Sequence, residues 1–311
     1  MKKILIGFLF ISSLQTLKAQ QDLLITQYMF NHLLINPAYA GSKDYIMATL
    51  LYRKQWDGWK GAPESQVATI HGPLGISNFG WGVHVSHDKI GVTERTDAYL
   101  NASFHLPVGG GLRLGVGLRG GGGYFVAKNS DLVYWDENDP AFAGDKTTEF
   151  LPNVGAGAYL YSRTFYAGLS APTIISYDPV KSLSIDLVDS GKFVPHQVRH
   201  YFATTGMAFE LNPDVVLKPS VLVKYVQHAP AEFDFNLNVL LGQVIWLGGS
   251  YRTGDSFVAM VELVLGKQWQ LGYSYDFTMT DVKDYSHGSH EIMLGYSFGY
   301  DIMKMKTPRY F

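Results

Sequence analysis

The sequence predicts an all-β protein, a transmembrane outer-membrane β-barrel of about fourteen antiparallel strands preceded by a short N-terminal periplasmic or plug segment. Three observations predict it. Hydrophobicity alternates with a period of two from about residue 45 onward. The connections between alternating stretches sort by parity into short and long. The composition suits strands and tight turns, with 33 Gly, 20 Tyr and 18 Phe among 311 residues and only 17% charged side chains.

Composition also narrows the function classes. With no Cys there is no disulfide, thiolate nucleophile, Cys-ligated zinc or lipid-anchored cysteine. A net charge of −2 supplies no broad basic field, which argues against a nucleic-acid partner.

Residues 1–19 have the form of a secretory signal. Lys2 and Lys3 precede an apolar run from Ile4 to Leu14, and Ala19 is the expected cleavage point. The run is too short to cross a hydrocarbon core of about 30 Å. Without these residues the chain carries 22 basic and 27 acidic side chains.

Residues 20–44 do not alternate. Their apolar density and the Asn36-Pro37 turn predict an ordered element, not a free tail. The barrel is expected over 45–300, with strands at 45–53, 64–73, 78–87, 94–106, 111–126, 153–163, 164–171, 198–210, 214–226, 232–242, 244–252, 255–265, 268–277 and 289–300. In the thirteenth, Trp269, Leu271, Tyr273, Tyr275 and Phe277 face one way, and Gln270, Gly272, Ser274 and Asp276 the other. Aromatic residues gather near strand ends, at Phe233, Trp269, Phe277 and Tyr300, as at the borders of a lipid-facing band. Even-numbered connections are tight turns; the first, third, fifth, seventh and thirteenth are longer, while the ninth and eleventh are short and break the pattern. An even strand count puts both termini, including a tail at 301–311, on the short-turn, periplasmic side. Pro219 removes a ladder donor inside the ninth strand and predicts a bulge or strand end there. Counts of twelve or sixteen strands also fit the pattern.

Closure is what makes such a chain viable in lipid, where every backbone N–H and C=O must pair within the protein. Motifs that imitate enzymes fit the barrel better. Gly115-Val116-Gly117-Leu118-Arg119-Gly120 has dinucleotide-loop spacing but lies within an alternating stretch with no helix after it, so its glycines read as lumen-facing. Gly295-Tyr296-Ser297-Phe298-Gly299 imitates a nucleophile elbow in mid-strand. On a strand, His196 and His200 stand about 13 Å apart, too far to share a metal. Asp136-Glu137-Asn138-Asp139 lacks calcium-loop spacing and reads as a solvated loop. No catalytic residue, cofactor or metal site is indicated.

The lumen-facing charges carry more information. Asp97, Arg113, Arg119, Lys218, Lys224, Glu232, Asp234, Arg252, Glu262, Asp276 and Glu291 fall on the inward parity with mixed signs. The basic ninth strand neighbours the acidic tenth, which suits cross-strand pairing. Both a filled, salt-bridged lumen and a wet lumen with solvated charges fit this pattern. A single-sign lining would have marked an ion-selective pore.

The stretch Gln27-Tyr28-Met29-Phe30-Asn31, continuing through Asn36-Pro37-Ala38-Tyr39-Ala40-Gly41-Ser42, resembles the opening signature of the PorP/SprF family of type IX secretion membrane proteins. Further matches are Tyr52-Arg53-Lys54-Gln55-Trp56, Gly61-Ala62-Pro63, Gly272-Tyr273-Ser274-Tyr275-Asp276, Gly288-Ser289-His290-Glu291-Ile292 and Pro308-Arg309-Tyr310-Phe311. His32 stands where the family pattern has Pro. The resemblance implies an outer-membrane barrel serving type IX secretion and gliding. Its implied partners are outer-membrane lipid, secretion-system proteins on the periplasmic side and an exported surface protein such as an adhesin. It implies no catalytic residues.

The expected function is therefore a non-enzymatic secretion component, with a passive pore for small solutes as the alternative. Gln27, Tyr28, Met29, Phe30, Asn31, Asn36, Pro37, Ala38, Tyr39 and Gly41 form the candidate docking or plug segment. Their apolar side chains, left free, would expose a patch that soluble surfaces rarely carry.

Overall fold

A computed structural model describes residues 24–75, 78–131, 145–148, 150–175, 198–226, 229–266 and 268–299. The expected signal at 1–19, the acidic Asp136–Asp139 stretch, His196, Tyr300 and the tail at 301–311 lie outside the described residues. Fourteen antiparallel strands form one closed ring. They are β1 (Ile46–Lys54), β2 (Glu64–Pro73), β3 (Phe79–Ile90), β4 (Thr93–Gly109), β5 (Leu112–Ala127), β6 (Leu151–Tyr161) and β7 (Phe165–Thr173). The second half comprises β8 (His200–Met207, continuing as Phe209–Asn212), β9 (Val215–Val226), β10 (Glu232–Leu241), β11 (Ile245–Arg252), β12 (Ser256–Leu265), β13 (Trp269–Thr278) and β14 (Ser289–Phe298). Each strand pairs with its sequence neighbours, and the ring closes where β1 meets β14, from Ile46 opposite Phe298 to Lys54 opposite His290. A two-residue bridge, Lys146–Thr147, lies against the end of β5.

Alternation in the sequence becomes an outside and an inside. Leu50, Leu100, Leu118, Leu169, Leu237, Leu247, Leu271 and Leu294 all point outward and are exposed, as a lipid-facing belt requires. Phe233, Trp269 and Phe277 sit near strand ends on the same outer face. The inward positions are buried even where they are polar, among them Thr49, Arg53, Thr69, Asn101, Asn238, Ser274 and Glu291.

The even connections form one rim of tight turns. The turn after β4 is built on Gly110 and Gly111 at φ 58 and 78, the left-handed conformation that two-residue hairpins need. The odd connections join strands at the opposite rim, and the fully described ones include the long stretches at 55–63 and 279–288.

Two expectations are corrected. The third connection is not long. It is the two-residue turn Gly91-Val92, because β3 and β4 remain paired as far as Ile90 and Thr93. Pro219 makes no bulge in its own strand, since β9 runs unbroken and pairs with β10 in constant register through Pro219 and Leu237. The interruption falls instead on the neighbouring β8, at Ala208, beside the position where Pro219 has no N–H to donate.

Candidate functional site: the lumen and its N-terminal segment

The inside of the ring holds the chain that precedes β1. Three short 3₁₀ turns, Gln27–Phe30, His32–Leu34 and Pro37–Tyr39, fold this segment into a compact chain with no period-two face to place in lipid. The last turn begins at Asn36, whose Oδ1 accepts from the Ala38 amide at 2.9 Å, with Pro37 at the first position where no amide is needed.

Its upper end lies at the long-connection rim. Thr26 N and Gln27 N donate to the two carboxylate oxygens of Glu291, at 2.8 and 2.7 Å. Thr26 Oγ1 donates to Asp276, 3.0 Å away, and accepts from Arg53 at 2.9 Å. Arg53 bridges both acids, 2.7 Å from Asp276 and 3.2 Å from Glu291. Arg53, Asp276 and Glu291 each stand within three residues of a strand end that adjoins an odd connection. Sequence parity puts the start of β1 on the tight-turn rim and led to the expectation that the segment begins there too. Parity fixes where β1 starts but says nothing of the chain before it, and Thr26 lies at the other rim.

From there the segment crosses the lumen and touches the wall on nearly every side. Asn236 donates to Tyr28 Oη at 2.7 Å, and Asn31 donates to Thr69 Oγ1 at 2.7 Å. Asn36 donates to the Ala158 carbonyl at 3.0 Å, and Ser170 donates to the Ile35 carbonyl at 2.6 Å. Phe30 meets Trp246 at 6.2 Å between ring centroids, with the Lys218 ammonium 5.1 and 5.0 Å from those rings. At the tight-turn rim Ser103 Oγ and His105 Nε2 donate to the Ala40 carbonyl, and the His105 amide donates to Asn78 in the β2–β3 turn. Nine of the ten candidate segment residues are buried, and Gly41, the tenth, is half-buried.

Wall glycines make room for this. A Cβ on Gly117 would lie 2.4 Å from the Ala38 nitrogen, one on Gly157 2.1 Å from Asn36 Oδ1, and one on Gly80 2.2 Å from the Ala40 oxygen. Two glycines of the dinucleotide-like run, Gly115 and Gly117, therefore face the segment as expected for lumen glycines, whereas Gly120 faces outward with open space around it.

His32 fills the centre. Its ring packs against Tyr166, Tyr39 and Tyr159 at 4.7, 5.2 and 5.9 Å.

The candidate lumen charges fall into two groups. Lys224 pairs with Glu232 at 2.6 Å and Asp234 at 3.4 Å, and Arg252 joins Asp234 at 3.1 Å and Asp276 at 3.6 Å. That network is continuous with Arg53 and Glu291 through Asp276. Elsewhere Arg119 lies over the Tyr99 ring at 3.8 Å, Asp97 pairs with Arg95 at 2.7 Å, and Arg113 donates to Asn78 at the tight-turn rim. Lys218 and Glu262 are buried in the same lumen. Arg53, the hub of the network, is absent from the sequence-derived charge set. The signal that could have found it is its place two residues from Leu51 on the inward parity of β1.

Among the described residues no group of three or more His, Asp or Glu side chains is arranged to hold a metal ion. The family model described as type IX secretion system membrane protein PorP/SprF matches residues 17–296. The chain belongs to the PorP/SprF family. It is thus a membrane component of type IX secretion, an outer-membrane β-barrel by fold. No curated protein matches it at a significant level. Among solved structures it is similar to Omp33 of Acinetobacter baumannii, at 8% identity and TM-score 0.47, over 83% of this chain and 100% of that one. It is also similar to the toluene transporter TbuX of Ralstonia pickettii, at 10% identity and TM-score 0.47, over 87% and 92%. The monoaromatic hydrocarbon channel CymD aligns at 9% identity and TM-score 0.46, over 88% and 92%.

Proposed function

We propose that this PorP/SprF family member is a non-enzymatic, plugged outer-membrane barrel that assists export or surface retention of a partner protein, such as an adhesin, in type IX secretion and gliding. One observation carries the reading. The segment 24–43 occupies the lumen from one rim to the other and meets the wall through hydrogen bonds, ion-paired acids and glycine-lined close contacts. A solute channel requires an open, hydrated path, and a chain packed in this way leaves the rims as the surfaces for protein partners. In this reading residues 1–19 are a cleaved export signal. The tight turns and the end of β14 face the periplasm and its secretion proteins, as is usual for outer-membrane barrels.

Two measurements test it together. Purified protein in planar bilayers should show little persistent conductance, and mild solubilisation of membranes should co-purify an exported surface protein. Large, steady single-channel conductance with no co-purifying protein would establish the passive pore instead. The paired variant Phe30→Ala, Tyr39→Ala tests the segment directly. Loss of export with an intact heat-modifiable barrel supports a functional role, and unchanged export removes it.

A further inference from the structure

We infer that the segment before β1 is a through-lumen connector, so that its Leu24 end opens on the long-connection face, opposite the face on which β1 begins and β14 ends. The reasoning needs only two fixed points and the direction of the chain. The first point is Thr26, whose hydroxyl joins Arg53 and Asp276. Asp276 also meets Arg252, which pairs with Asp255 inside the odd connection between β11 and β12. Thr26 is thus tied through side chains to the turns of the long-connection rim.

The second point is the stretch Ala40–Gly41. Ala40 is held by Ser103 and His105, and His105 bonds the β2–β3 turn. A Cβ on Gly41 would meet Gly80 Cα at 2.4 Å, at the start of β3. Between the two points the contacts to Tyr28, Asn31 and Asn36 lie inside the ring, and β1 starts at Ile46 on the tight-turn rim.

The consequence is that the two ends of the barrel chain serve different faces. The end of β14 lies with the tight turns, and the Leu24–Thr26 end of the segment lies with the long connections. If the long connections face the cell exterior, as the proposed function assumes, the N-terminal side of the segment is reachable from outside the cell.

The chain has no Cys, so single cysteines report position without background. Two of them mark the faces: Tyr285→Cys in the exposed β13–β14 connection and Asp214→Cys in the exposed β8–β9 turn. Their labelling by a membrane-impermeant maleimide, on intact or permeabilised cells, establishes which rim is outside and fails independently of the threading. An epitope inserted immediately before Leu24 is then probed with antibody on the same cells. The epitope should become accessible under the same condition as Tyr285→Cys, at a comparable fraction of its permeabilised signal. Accessibility only under the condition that exposes Asp214→Cys overturns the inference. If the insertion blocks assembly, Leu24→Cys with the small maleimide replaces it. Reaction in step with Tyr285→Cys supports threading, and protection until Asp214→Cys reacts, or throughout, overturns it.

Discussion

Gly117 faces Ala38 so closely that a Cβ built on the glycine would lie 2.4 Å from the Ala38 nitrogen and 2.5 Å from its Cα. The obstacle is backbone on both sides, so a side chain here cannot be accommodated by a rotamer change. Gly117→Val should therefore displace the segment while the strand survives, since valine favours extended backbone. Overpacking of this kind costs about 1–3 kcal/mol. The check is planar-bilayer conductance, which should rise for the valine variant with heat-modifiability retained. Unchanged conductance and unchanged protease resistance of the segment would show that the contact is not tight.

Arg53 is buried with Asp276 and Glu291, each side chain 2% exposed or less. Removing the guanidinium leaves Glu291 without its counter-charge and Asp276 with only Arg252, 3.6 Å away, and breaking such a buried pair costs about 3–5 kcal/mol. Arg53→Met should lower the temperature at which the barrel loses its compact gel mobility more than Lys224→Met does, because Lys224 is more accessible and Arg252 still pairs with Asp234. Equal shifts for the two variants would remove Arg53 from the centre of the network.

Leu271 faces outward at 44% exposure, whereas its neighbour Gln270 lies on the lumen parity. An arginine in the middle of the lipid face costs roughly 2–4 kcal/mol. Leu271→Arg should reduce folding yield into lipid vesicles well below that of Gln270→Arg. Equal yields would contradict the register of β13.

The barrel was legible because lipid imposes alternation and parity on the sequence directly. The strands from β10 to β14 alternate cleanly and were placed within a residue or two. The early strands alternate poorly for a reason visible only in three dimensions. Met47, Leu51 and Val67 point inward yet are apolar, because they face the N-terminal segment and the packed interior around it, not water. Arg53 escaped notice in this same region of weak pattern. The segment itself showed as apolar, aperiodic and turn-rich, which marks an ordered element but not its route. That route depends on contacts between residues more than 200 positions apart, such as Thr26 with Glu291 and Tyr28 with Asn236, and no local signal encodes them. The Pro219 effect was placed on the wrong strand because a missing N–H is felt by the partner that loses its donor.

The pairing of Arg53 with Glu291 joins the first strand of the ring to the last. Synthesis delivers Thr26 and Arg53 early, and the two acids that hold them arrive only with the final two strands. Until then the guanidinium has neither of these counter-charges, and the upper end of the segment has nothing to anchor its amides. Zipping β14 to β1 brings Glu291 to both at once. Seam closure and capture of the segment's upper end therefore draw on the same side chain, and a barrel that closes with its lumen vacant forgoes the bonds that Thr26 and Gln27 make to Glu291.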